Sequence, residues 1–209
     1  MTCDAGGSDD VTTKAVPSQC THQVVAARSS FVTNRKLSCA AELAKRLPPF
    51  VTPVGLFVNA PPSDIQAAIN AIPQLVIQFH GDESAPDCDA VARPYIRAAR
   101  MAAGFDLIDF VNQYPNAQAI LLDAHVEGYG GGGKVFDWSL IPRNVPRPVV
   151  LSGGLHAGNV IDGIFQVRPS AVDVSSGVES AKGIKDAAAM RRFCEAVREA
   201  DARIADSPT

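Results

Sequence analysis

Ser152-Gly153-Gly154-Leu155 and Asp173-Val174-Ser175-Ser176-Gly177-Val178-Glu179, in the last third of the chain, are two glycine-bearing loops that each follow a short apolar run. The runs are Arg147-Pro148-Val149-Val150-Leu151 and Ser170-Ala171-Val172-Asp173-Val174, and they read as buried parallel strands. Small residues at both strand exits leave backbone N–H groups bare, and such groups bind phosphate, above all beside a helix N-terminus. In (β/α)₈ barrels the phosphate site sits in the loops after the seventh and eighth strands, so the place of these loops near the chain's end matters as much as their composition. The expectation is a phosphorylated small-molecule ligand.

Working outward, the chain from residue 36 onward alternates helix-like and strand-like segments. Ser38 suits an N-cap for a helix through Leu47, which Pro48-Pro49 ends. Val54 to Val58 and Leu75 to Phe79 read as buried strands, with a helix from Ser63 to Ala71 between them. Pro86 to Ala92 suits a helix, Tyr95 to Ala99 a strand, Asp106 to Gln113 a helix and Ala119-Ile120-Leu121-Leu122 a strand. Asp137 to Ile141 is a helical turn, and a helix near Asn159 to Gln166 separates the last two strands. A terminal helix from Asp186 to Ala200 carries Ala189, Phe193, Ala196, Val197 and Ala200 as an apolar stripe. Six strands after residue 50, each followed by a helix or turn, make the βα repetition of a parallel sheet. The fold class expected is α/β, a (β/α)₈ TIM barrel whose first strand is absent or degenerate. Eight strands need two from the first 50 residues, where Val24 to Ala27 or Phe31-Val32 can supply one, and the two residues before Cys3 are too few for another.

At 209 residues the chain suits one barrel domain over 1–209, at the lower end of the size range, with residues 1–33 atypical and the polar stretch Thr2 to Thr13 disordered by composition. A formal charge of −3 with lysine and arginine spread along the chain offers no basic face, so nucleic acid is not an expected partner. No apolar run approaches the roughly 18 residues of a membrane helix, and the first 30 residues lack a secretory pattern, so a cytoplasmic protein without a membrane partner is expected. Cys3, Cys20, Cys39, Cys88 and Cys194 are odd in number, irregular in spacing and without a C-x-x-C pair, which argues against a disulfide framework or a zinc site. Oligomeric state is undetermined at this level.

Asp123 ends the run Ala119 to Leu122 and precedes the glycine-rich loop Ala124 to Lys134. Carboxylates at the carboxyl end of a barrel strand enter the mouth where catalysis occurs, so Asp123 is either a general acid or a cap of the following loop. His80, in Gln78-Phe79-His80-Gly81-Asp82, is a proton shuttle, a substrate donor or a structural histidine. Arg35 either holds a carboxylate through its two-pronged guanidinium or is a solvated surface residue. Gly130 to Gly133 lacks the spacing of a nucleotide-binding loop and reads as a flexible lid.

Val54-Gly55-Leu56-Phe57-Val58-Asn59, Gln78-Phe79-His80-Gly81-Asp82-Glu83, Leu121-Leu122-Asp123 with Tyr129-Gly130-Gly131, Gly133-Lys134-Val135-Phe136-Asp137-Trp138 and the two late loops resemble, in order and spacing, the phosphoribosylanthranilate isomerase family of tryptophan biosynthesis. The resemblance covers about residues 35–200, and the segment Asp173 to Glu179 followed by Gly183-Ile184-Lys185-Asp186 is distinctive of that family. It implies a barrel without cofactor or metal that converts N-(5-phosphoribosyl)anthranilate to 1-(2-carboxyphenylamino)-1-deoxyribulose 5-phosphate, an Amadori rearrangement. By resemblance Asp123 protonates the furanose ring oxygen, Gly153, Gly154, Ser175, Ser176 and Gly177 hold the phosphate, and Arg35 contacts the anthranilate carboxylate. The usual Ser-Pro-Arg stands here as Thr33-Asn34-Arg35.

An acid at the ring oxygen and a base at C2 are both required, and an iminium as electron sink removes the need for a metal or cofactor. The family's base is a cysteine in a first strand reading Lys-x-Cys-Gly-x-Thr, a form that does not occur here. By spacing the candidate is Cys3, with Asp4 in place of the glycine; Cys20 lies in a segment without strand character. Three readings of residues 1–33 follow: a divergent working start, a wrong start or shifted frame joined to an intact remainder, or a degenerate barrel that has lost the reaction. The alternative function is a catalytically impaired phosphate-binding barrel lacking the base, and a third is an isomerase on a related phosphoribosyl amine.

Overall fold

The computed structural model describes residues 25–28, 34–124 and 136–206. Cα proximity groups the chain into two compact units, one built chiefly from residues 23–98 and the other from residues 99–115 and 119–209. In the first unit, strands β1 (Val25–Arg28), β2 (Pro53–Phe57), β3 (Val76–Phe79) and the first four residues of β4 (Tyr95–Met101) pair in chain order and in parallel, with Val54 opposite Val76 and Phe79 opposite Arg97. Every residue of β2 is buried, as its unbroken apolar run demands of a strand covered on both faces. Between these strands lie α1 (Asn34–Ala44), α2 (Pro62–Ala71) and α3 (Ala85–Asp89). Phe57, Ile65, Ala68, Ile69, Ile77, Phe79 and Tyr95 are buried here, and the Phe79 and Tyr95 rings meet edge to face at 5.5 Å. Each buried isoleucine and phenylalanine contributes roughly 1.5–3 kcal/mol by leaving water.

The second unit carries α4 (Leu107–Gln113), β5 (Ala119–Ala124), a 3-10 turn (Trp138–Leu140), β6 (Val149–Leu151), α5 (Val160–Val167) and β7 (Ala171–Val172). β5, β6 and β7 pair in parallel, Leu121 opposite Val150 and Leu151 opposite Val172. A second 3-10 turn (Ser176–Val178), an antiparallel hairpin of β8 (Glu179–Ala181) and β9 (Ile184–Lys185), and the long helix α6 (Ala187–Ala205) complete it. Leu151, Leu155, Val160, Ile164, Val178, Phe193, Ala196, Val197 and Ala200 form one buried cluster, with Ala189 packed partly buried against it. The apolar stripe expected of the terminal helix is therefore the face that meets this core.

The order of strands and helices agrees with the expectation from sequence; differences lie at boundaries and between Ser176 and Lys185, where a 3-10 turn and a hairpin were not expected. The first helix begins at Asn34, so Ser38 is internal to it and not its first-turn cap. The third begins earlier than expected because the Ser84 hydroxyl accepts from the Asp87 amide while the Asp87 carboxylate accepts from the Ser84 amide, a reciprocal cap with Pro86 in the first turn. The early strand is Val25–Arg28, and among the described residues none precedes it. The β8–β9 hairpin was not expected, since strands of three and two residues carry too little periodicity to register. Cys3, the stretch 2–13 and the loop 129–133 lie outside the described residues.

Candidate functional site

In the second unit the loop after β6 closes over the end of β5. The Ser152 amide donates to the Leu122 carbonyl at 2.9 Å, which carries the β5–β6 ladder past Leu151. Gly153 follows with φ +79°, and a Cβ there would lie 2.5 Å from the Ala124 nitrogen and 2.8 Å from Asp123 Oδ1. Only a residue without a side chain fits this approach, and glycine is also the residue for which that φ is unstrained. Asp123 is half-buried at the end of β5, and its Oδ1 accepts from the Ala124 amide at 2.9 Å. The carboxylate is thus oriented by its own strand end and roofed by the glycine turn.

The Gly153-Gly154 turn is tied in place by Asn159, whose side-chain amide donates to the Gly154 carbonyl at 3.1 Å and accepts from the His156 amide at 2.8 Å. His156 Nδ1 in turn accepts from the Gly158 amide at 3.1 Å. The loop after β7 joins from the other side: the Asp173 amide donates to the Leu151 carbonyl at 2.8 Å, and Ser152 Oγ donates to Asp173 Oδ2 at 2.9 Å. Gly177 lies against the loop after β6 so closely that a Cβ would sit 1.8 Å from the Leu155 carbonyl oxygen. Lys185, on β9, donates to the Ser175 carbonyl at 2.9 Å and to Ser175 Oγ at 3.3 Å, and is ion-paired with Glu179. Asp123, Gly153, Gly154, Ser175, Ser176 and Gly177 are therefore brought together in one unit. Two glycine loops stacked on each other with a carboxylate at their edge can receive an anion on backbone amides and present a proton donor beside it.

In the first unit His80 stands just beyond β3. Its amide donates to the Phe57 carbonyl at 2.8 Å, and its Nδ1 lies 3.3 Å from Gln78 Nε2. Beneath it Glu83 is buried and accepts from the Asn59 amide at 2.7 Å through Oε1 and from the Gly81 amide at 2.9 Å through Oε2. Arg97, 3% exposed, faces Glu83 Oε2 at 3.6 Å and donates to the carbonyls of Phe79 at 3.1 Å and Gly81 at 3.0 Å. This buried pair fixes the exits of β2 and β3. Arg35 is the second residue of α1. Among the described residues no group of three histidines, cysteines or acidic side chains is arranged to hold a metal ion.

Sequence reasoning missed Asn159, Lys185 and the pair Glu83–Arg97. Lys185 lies inside the segment Gly183 to Asp186 and Asn159 opens an expected helix, but a lone amide or a lone lysine carries no spacing signal; Arg97 shows in the sequence only as one of two arginines, with Arg100, among the apolar residues of β4.

A family model described as N-(5'phosphoribosyl)anthranilate (PRA) isomerase matches residues 5–196. The chain belongs to this family. The N-(5'-phosphoribosyl)anthranilate isomerase of Methylibium petroleiphilum is 73% identical over 168 residues, covering 80% of this chain and 79% of that protein. The enzyme of the same name from Leptothrix cholodnii is 71% identical over 171 residues, covering 82% of this chain and 78% of that protein. Among solved structures, the phosphoribosyl anthranilate isomerase of Thermotoga maritima superposes with a TM-score of 0.72 at 36% identity, covering 84% of this chain and 87% of that one. A phosphoribosyl anthranilate isomerase in complex with reduced 1-(o-carboxyphenylamino)-1-deoxyribulose 5-phosphate superposes with a TM-score of 0.67 at 32% identity, covering 84% of this chain and 86% of that one. The fold is thus the α/β barrel of these isomerases. The family match reaches upstream to residue 5, well before residue 35, where the motif resemblance begins.

Proposed function

We propose that this chain isomerises N-(5'-phosphoribosyl)anthranilate to 1-(2-carboxyphenylamino)-1-deoxyribulose 5-phosphate, the reaction for which its relatives are named, as a step of tryptophan biosynthesis in the cytoplasm and as a single barrel domain. The observation that carries this reading is the packing of Gly153 on Asp123: the turn offered to the phosphate is also the turn that holds the carboxylate. Ligand phosphate on the amides of Gly153, Gly154, Ser176 and Gly177 and on the Ser175 hydroxyl anchors the sugar. Its binding energy fixes the ring oxygen near Asp123. Asp123 delivers a proton to that oxygen as the C1–O bond breaks, and the anthranilate nitrogen lone pair forms the iminium. A base then removes the C2 proton, and the electrons of that C–H bond neutralise the iminium to an enolamine, which tautomerises to the ketone. We assign the base to Cys3, the anthranilate carboxylate to Arg35, and a hydrogen bond to substrate to His80. No redox partner enters, because the sugar carbon oxidised and the one reduced belong to the same molecule.

Turnover of phosphoribosylanthranilate by the purified chain, followed by loss of its fluorescence, tests the reading. Asp123→Asn is expected to lower kcat by at least about a thousandfold with little change in affinity for the reduced product analogue, and Cys3→Ala to lower it comparably. Retained turnover in Asp123→Asn refutes the acid assignment. A parent chain that binds the analogue without isomerising it favours the impaired phosphate-binding barrel, and a version carrying a restored first strand then tells whether residues 1–33 are the defect.

A further inference from the structure

Lys185 is a cation that the reading above does not use, and its surroundings are unusually complete. The side chain is 9% exposed and Glu179, its ionic partner, 14%. An ammonium has three hydrogens, and here the Ser175 carbonyl, Ser175 Oγ and the Glu179 carboxylate account for three acceptors. Glu179 is itself held from behind by the Gly183 amide at 3.1 Å, the turn of the β8–β9 hairpin. The hairpin therefore exists, in geometric terms, to carry Lys185 back under Ser175, ten residues upstream.

This arrangement dictates what the Ser175 hydroxyl can do. A serine hydroxyl has one hydrogen and two lone pairs. Because Lys185 can only donate, Ser175 Oγ is its acceptor, and the hydroxyl hydrogen must point elsewhere. Donation from a cation also polarises the O–H bond and strengthens it as a donor. Glu179 neutralises Lys185 locally, so the pair adds little net field to the loop and acts through orientation.

We infer that Lys185 is a positioning residue for phosphate recognition: it occupies the acceptor side of the Ser175 hydroxyl, turns the hydrogen toward the bound phosphate, and pins the Ser175 carbonyl away from the anion, with Glu179 holding the ammonium in place. The inference rests on the reading of the loop after β7 as a phosphate cradle and names the device that presents the Ser175 hydroxyl to it as a donor.

A double-mutant cycle with inorganic phosphate as the probe tests it, read by the amide shifts of Ser176 and Gly177 in nitrogen–proton correlation spectra and by competitive inhibition of turnover. Lys185→Met is expected to raise the phosphate Kd about tenfold, Ser175→Ala by a similar factor, and the double variant by no more than about twofold beyond either, since both remove one hydrogen bond. KM for the phosphorylated substrate should rise in step while kcat changes less. Lys185→Met leaves the Glu179 carboxylate without its cation, so Lys185→Met/Glu179→Gln serves as the charge-balanced variant if the single one unfolds. A phosphate Kd within twofold of the parent in that balanced variant, or effects of Lys185→Met and Ser175→Ala that multiply, overturns the inference. If the parent's Ser176 and Gly177 amides do not respond to phosphate at all, the cradle itself is misread, an outcome distinct from either.

Discussion

The Cα of Gly153 rests on Asp123 so closely that one added carbon would stand 2.8 Å from the carboxylate oxygen Oδ1 and 2.5 Å from the Ala124 nitrogen. The two residues belong to different strand exits, β6 and β5, and each limits where the other can be. A change at the turn is therefore felt at the carboxylate.

Gly153→Ala tests this contact. The added methyl meets backbone, which cannot swing aside, and the φ of +79° adds about 1–2 kcal/mol of strain for any residue with a side chain. The expected outcome is a loss of about 1–3 kcal/mol in urea unfolding and, if Asp123 is the acid as proposed, at least a tenfold drop in kcat from its displacement. Unchanged kcat with lowered stability would separate the turn from the catalytic geometry.

Glu83 and Arg97 form the second test. Glu83→Ala leaves the Arg97 guanidinium, 3% exposed, without its carboxylate and also deprives the Asn59 and Gly81 amides of their acceptor. A destabilisation of about 3–5 kcal/mol is expected from urea titration, larger than for any exposed ion pair such as Lys45–Glu42. Stability within 1 kcal/mol or so of the parent would show that the carbonyl ring around Arg97 suffices alone.

Cys88 is buried at 0% exposure, and desolvation, only partly offset by Arg97, pushes its thiol up from 9.0 to about 12. Alkylation followed by peptide mass analysis at pH 8 should label the partly exposed Cys39 and Cys194 and leave Cys88 intact until denaturant is added. The unfolded chain gives up this proton near pH 9 and the folded chain only near 12, so the stabilisation is whole below 9.0 and is lost progressively as pH rises toward about 12. Cys88→Ala should accordingly flatten the fall of stability across that window, and an unaltered slope would assign it to other groups.

Asp106 caps α4 by accepting from the Asp109 amide at 2.9 Å. Asp106→Ala is expected to lower stability by about 1 kcal/mol in a thermal or urea transition, with Asp106→Ser recovering most of it. An equal loss in both variants would mean that the side chain contributes through something other than capping.

Much of this was legible in residues whose environment is written in their neighbours. The unbroken apolar run at Val54–Phe57 and the stripe Phe193, Ala196, Val197, Ala200 fixed a buried strand and a helix face because burial on two sides or one leaves that pattern. Asp123 and the two glycine loops stood out by their place at the ends of apolar runs, and the structure brings them together at the exits of β5, β6 and β7. Helix starts were less legible: Ser38 has the chemistry of a cap, yet the helix overran it from Asn34, whereas Ser84 has the same chemistry and does cap because Asp87 reciprocates. The parts played by Lys185 and Arg97 were not legible, since each depends on carbonyls and a carboxylate that the fold brings close to it.

The carbonyl-lined pocket of Arg97 also bears on how such a chain drifts over generations. Losing Glu83 leaves a buried cation without its carboxylate and losing Arg97 leaves a buried carboxylate without its cation, so either replacement by itself is expected to weaken folding. Exchange at the two positions is therefore expected to be tolerated jointly far better than singly.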